Sequence, residues 1–150
     1  MARNDSFMFK KHSYNLNKGL HGDLSTADIR LLIVDNTLTP TAADATPVYA
    51  TYSANEVSTA GGYPAGGIVL TGLVLSTSDG VLKFDDTGNV ELALDVLGFD
   101  DAYWGILYNN TATAKDCIGA IDLGGPVSER TGPFTTNWSA NGIYTDTVTA

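Results

Sequence analysis

Ile29-Arg30-Leu31-Leu32-Ile33-Val34 is the stretch on which the fold turns. Beyond Arg30 it is apolar at both odd and even positions. In a strand, successive side chains point to opposite faces, so this one must be covered on both sides, which suits the middle of a sheet. Asp35-Asn36 ends it with turn-forming side chains. Outward from there, short apolar runs alternate with Gly/Asn/Asp/Pro turns. Ile68 to Leu75 reads as one strand with Gly72 as a bulge, and Val81 to Phe84 as a short strand. Val90 to Val96 alternates, which predicts Val90, Leu92, Leu94 and Val96 facing inward and Glu91 and Asp95 facing water. Tyr103 to Tyr108, Cys117 to Leu123, Phe134 to Trp138 and Ile143 to Val148 complete about eight strands, with a tight turn at Ser139 to Gly142. Thr37 to Thr46 reads as an extended loop, and Ser53-Ala-Asn-Glu56 as the opening of one helical turn. The spacing predicts an all-β chain: a β-sandwich or β-tulip-like two-sheet domain over 22–150, preceded by an extended N-terminal arm over 1–21.

The chain has 150 residues, 17 acidic against 8 basic, for a net charge of −9. Such a body is a poor ligand for nucleic acid, whose phosphates require a Lys/Arg surface. No run approaches the roughly 20 apolar residues of a membrane-spanning helix, and Met1 to His12 holds no apolar core of signal-peptide length. The charge is uneven. Residues 1–18 hold Arg3, Lys10, Lys11 and Lys18 against Asp5, a net of +3, while the remainder is −12. Phe7, Phe9, Lys10, Lys11 and Tyr14 therefore read as partner-binding residues of the arm. The aromatics would anchor, the lysines would steer towards an acidic neighbour, and the alternation at 7–12 would suit an added edge strand.

Catalytic chemistry finds few residues to work with. The histidines are His12 and His21, both in or beside the arm, and the one thiol is Cys117. Cys117 reads as a small buried apolar residue in a reducing compartment. A nucleophile–histidine site or a zinc site would have to recruit these three, so no catalytic residue, metal ligand or cofactor-binding residue is assigned. Gly61 to Gly67 is rich in glycine but lacks the Lys-Ser/Thr of a phosphate loop and leads into a strand, not a helix. Asp85-Asp86 and Asp100-Asp101 read as solvated turns, with Ca²⁺ binding as the alternative. Tyr103, Trp104, Tyr108, Phe134 and Trp138 read as core, with a sugar-stacking face as the alternative.

From Asn55 onward the order of motifs resembles a family of small virion proteins of tailed bacteriophages. The residues that carry this are Asn55-Glu-Val-Ser58, Gly62-Tyr-Pro-Ala-Gly-Gly67 leading into Ile68, Tyr103 to Tyr108, Ile118 to Gly124, and Gly132-Pro-Phe-Thr-Thr-Asn-Trp138 through Gly142-Ile143. The chain departs from the pattern in its longer basic, aromatic start. The resemblance implies a non-enzymatic structural protein, a head decoration (cement) protein on the outside of the capsid, made in the host cytoplasm. Its implied partners are the major capsid protein and other copies of itself, as a homotrimer on the lattice, with neither nucleic acid nor membrane. A tail or neck component, and a carbohydrate-binding module, are the alternative readings.

Overall fold

The computed structural model describes residues 5–136, 138 and 142–147. In chain order the elements are β1 (Ser6–Met8), α1 (Lys10–Asn17), β2 (Ile29–Val34), α2 (Tyr49–Tyr52) running into a 3₁₀ turn (Ser53–Asn55), β3 (Ile68–Val69), β4 (Leu73–Ser78), β5 (Val81–Asp86), β6 (Val90–Leu92), β7 (Ala102–Asn109), β8 (Cys117–Val127), β9 (Phe134–Thr136) and β10 (Tyr144–Thr147). They form a five-stranded sheet ordered β1-β8-β7-β2-β3, a three-stranded sheet β10-β5-β4 and a two-stranded ribbon β6-β9. All pairings are antiparallel. The all-β class that the strand and turn spacing predicts holds, and the multiple antiparallel sheets are consistent with the expected two-sheet domain.

β2 lies between β7 and β3, and both its faces are covered. Leu31 and Ile33 point into a core shared with Phe84 and Ile143 of the smaller sheet region and Val90 and Phe134 of the ribbon. Leu32 and Val34 point the other way, against Phe9, Tyr52, Ile106 and Tyr108. The register across β8 carries a bulge. Leu107 opposes Gly119 but Tyr108 opposes Cys117, so Ile118 is the extra residue. The bulge reverses the facing of β8. Cys117 and Ala120 join the Phe9–Tyr52 core, while Ile118 and Ile121 join the larger one.

Three expectations are corrected. The run Ile68 to Leu75 is two strands in two sheets. Leu70, which is buried, is the pivot, and Gly72 is the point of transfer, its amide donating to Asp86 Oδ1 at 2.9 Å. A Cβ at Gly72 would lie 2.5 Å from Thr87 Oγ1, so only glycine passes there.

The strand expected at Val90 to Val96 stops at Leu92 because its antiparallel partner, β9, begins at Phe134, just after Pro133, so pairing runs out at Leu92↔Phe134. Leu94 and Val96, expected inside, are 53% and 72% exposed.

The arm expected to be extended is, over its described part, a strand and a helix folded on the chain's own body. β1 adds to the edge of β8, Ser6↔Ile121 to Met8↔Gly119, and α1 follows. The cause is the second face of the large sheet: Phe7 and Phe9 cover it, and without them Tyr52, Leu32 and Ile106 would meet water. The turn expected at Ser139 to Gly142 lies mostly outside the described residues.

Candidate interaction surfaces

The partner-binding residues expected in the arm separate into two groups. Phe9 is 1% exposed, stacked on Tyr52 at 5.9 Å and edge-on to half-buried Phe7 at 5.5 Å. These two aromatics are occupied within the chain. Lys10, Lys11 and Tyr14 stay on the outer side of α1. Lys11 Nζ sits 4.2 Å and Lys18 Nζ 5.6 Å from the Tyr14 ring centre, so the lysines hold the ring in place by cation–π attraction. Tyr14 is 50% and Leu20 49% exposed. Together they form a basic surface with two apolar side chains on it.

The inner side of α1 is polar, and the sequence offered no apolar periodicity to reveal it. His12 and Asn15 are buried at i and i+3, which places them on one helical face. Asn15 Nδ2 donates to Asp116 Oδ1 at 2.8 Å. His12 Nδ1 meets His21 Nε2 at 3.1 Å, and Asn109 Nδ2 donates to the His21 carbonyl at 2.9 Å and approaches His21 Nδ1 at 3.4 Å. This network assigns the tautomers. His21 accepts at Nδ1 and donates from Nε2, so His12 carries its proton on Nε2, an atom with no hydrogen-bond partner, and the His12 ring packs edge-on to Tyr144 at 5.4 Å. Burial drives the pKa of His12 down to about 3, with His21 adding to the shift. Burial also lowers the His21 pKa, against an opposing pull from Asp116. The two histidines are a neutral structural pair.

At the other end of the body, the loop after β6 presents Leu94, Val96 and Leu97, the last 61% exposed. The loop is built, not slack. The Asp95 amide donates to the Glu129 carbonyl at 3.1 Å, the Leu97 amide to Asp95 Oδ1 at 2.9 Å, and the Gly98 amide to the Asp95 carbonyl at 2.9 Å. Arg130 donates from Nε to the Gly98 carbonyl at 2.6 Å and from Nη1 to Asp100 Oδ2 at 3.3 Å. In sequence the apolar tip is flanked by Glu91 on one side and Asp100 and Asp101 on the other, all exposed. Beneath it Glu129 is wholly buried, and neither carboxylate oxygen has a hydrogen-bond partner of good geometry. Burial, with Asp95 nearby, raises its pKa above the ordinary carboxylate value, and the Phe99 and Gly62 amides oppose the shift. Leu94 and Val96 thus leave apolar area in water where the expected inward alternation of Val90 to Val96 placed them inside.

The remaining motifs are structural. In the glycine-rich turn, Glu56 Oε1 accepts from the Tyr63 hydroxyl at 3.0 Å and from the Gly66 amide at 2.7 Å, and the Tyr108 hydroxyl donates to the Gly66 carbonyl. Gly67 has φ +94, and a Cβ there would press on the Leu31 carbonyl at 2.8 Å. Asp86, expected in solvent, is buried and accepts from the Gly72 and Gly88 amides and from Trp138 Nε1 at 3.2 Å. Asp100 is the exposed partner of Arg130. Tyr63, Tyr108 and Phe134 are buried, Tyr103, Trp104 and Trp138 are half-buried, and Tyr14 is the one exposed aromatic among the described residues. Cys117 is buried, and that burial pushes its thiol pKa up, away from nucleophilic use. Among the described residues no three His, Cys, Asp or Glu side chains are grouped to hold a metal, and no helix is long and apolar enough to cross a membrane. Comparison with family models, with curated proteins and with solved structures found no match to this chain.

Proposed function

We propose that this chain is a head decoration (cement) protein of a tailed bacteriophage. It works by adhesion, binding the major capsid protein on the outside of the shell and joining neighbouring subunits by non-covalent contacts. The observation that carries the reading is the apolar tip Leu94, Val96 and Leu97, held out on a loop closed by its own hydrogen bonds. Exposed leucine and valine on a preorganised loop bind with little ordering cost, which suits a role with no chemical step. Repetition over a lattice then multiplies a modest single-site affinity. The motif order from Asn55 to Ile143 agrees with this assignment.

The test is a copy count on purified virions. Decoration requires copies approaching those of the major capsid protein, and heads that lose heat resistance when the protein is withheld. A few copies per particle would move the protein to the neck or tail, and its absence from particles would reject the virion reading altogether. Val96→Asp/Leu97→Asp is expected to empty the particle sites while leaving the melting temperature of the isolated protein unchanged.

A further inference from the structure

Two of the exposed apolar surfaces stand at opposite ends of β8. At its start, Asn15 of α1 bonds Asp116, and the Phe9 amide donates to the Ile118 carbonyl. Just beyond its other end, the Glu129 carbonyl accepts from Asp95 of the apolar loop, and the Glu129 amide donates to the Phe99 carbonyl. β8 has 11 residues. At about 3.3 Å per residue, the surfaces are roughly 30 Å apart.

Their chemistry is opposite. The α1 end shows Tyr14 and Leu20 among Lys10, Lys11 and Lys18. Asp23, in the loop that follows, is engaged by the Ser25 amide and hydroxyl. The loop end carries exposed Leu94, Val96 and Leu97 with Glu91 before them in the chain and Asp100 and Asp101 after them, and Arg130 is bound to Asp100. We propose that copies of this chain associate head to tail, the acidic-rimmed apolar loop of one seating on the basic, aromatic face of α1 in the next.

A two-fold contact of either surface with itself would set like charges against each other, which is costly where water is excluded. Joining unlike surfaces pairs opposite charges and covers apolar area on both sides. Such a contact is heterologous. It closes into a ring if the rotation between copies divides the circle, and otherwise runs on as a filament. The proposal concerns the isolated chain and stands whether or not the virion reading does; on a shell the same tip would join copy to copy, and emptied particle sites with Val96→Asp/Leu97→Asp would follow from loss of that contact.

Sedimentation of the purified full chain tests it, from about 10 µM to about 1 mM, a range that brackets weak specific association. The wild type is expected to gain mass with concentration and to lose that gain in high salt. Lys10→Glu/Lys11→Glu and Glu91→Lys/Asp101→Lys are each expected to stay monomeric. All four positions are exposed, and glutamates at the start of α1 favour the helix, so the variants keep the fold, as their circular dichroism would show. Mixing the two variants in equal amounts is expected to restore association, because each then offers the other an opposite charge. A monomeric wild type at the highest concentration, variants that associate like the wild type, or a mixture that stays monomeric would each overturn the proposal.

Discussion

His12 Nδ1 lies 3.1 Å from His21 Nε2, and both rings are buried where α1 meets the ends of β7 and β8. A second proton on His12 would occupy Nδ1 and destroy the bond, and one on His21 would turn Nδ1 into a donor facing the Asn109 amide nitrogen. Either would place a charge in a buried site, so the pair ties α1 to the body best while both rings are neutral.

Acid should therefore loosen the fold in a defined window. Both pKa values are lowered in the folded state, so the unfolded chain binds the protons more readily. The stabilisation is complete above the unfolded value near 6.5 and is lost as pH falls towards the folded value of His12, about 3. The carboxylates whose pKa is lowered, Asp28 and Asp44 among them, act with the same sign but only as pH falls below the unfolded carboxylate value of 3.8. Melting temperature should thus fall between pH 6.5 and 5. His12→Phe should flatten that slope; an unchanged slope would remove the pair from the account.

Phe9→Ala should cost about 3–5 kcal/mol in urea unfolding, the range for emptying a fully buried aromatic site. The ring stacks on Tyr52 and closes the second face of the large sheet. A loss below about 1 kcal/mol would return this segment to the status of a loosely attached arm.

The neighbouring carboxylates Asp85 and Asp86 should behave differently. Asp86→Ala removes the acceptor for two backbone amides and for Trp138 Nε1 and should cost about 2–3 kcal/mol. Asp85→Ala removes a partly exposed ion pair with Lys83 and should cost about 0–1 kcal/mol. Chemical denaturation of the two variants side by side is the check, and equal losses would contradict the assignment.

Glu129 should titrate with the opposite sign to the histidines. Its folded pKa is raised, so the protonated form is the one that folding favours. Its contribution is fully present below the ordinary carboxylate value and is lost as pH rises through the folded value. Glu129→Gln, which removes the buried charge, should melt higher than the wild type at pH 7–8, with the difference shrinking towards pH 4. A difference independent of pH would mean that shape, not charge, sets the cost of this residue.

Ile29 to Val34 shows how far the residues alone carry the fold: six positions apolar at both parities, apart from Arg30, can be satisfied only between two covered faces, and β2 occupies that place. The turns after Val34 and around Gly61 to Gly67 were equally legible, because glycine, asparagine and aspartate act through local backbone preference. Asp86 was not, since its place in solvent or in the core depends on Gly72 and Trp138, which are distant in sequence. The same holds for α1, whose buried side is histidine and asparagine and gives no apolar period to read. Leu94 and Val96 alternate as an inward-facing strand would, yet they stand in water because β9 begins only at Phe134 and offers no partner beyond Leu92. Local pattern determined where the chain extends and where it turns. Only the tertiary structure decided which strand finds a partner of sufficient length, which polar groups meet one another in the interior, and which apolar side chains are left outside, because each of these depends on groups that the sequence keeps far apart.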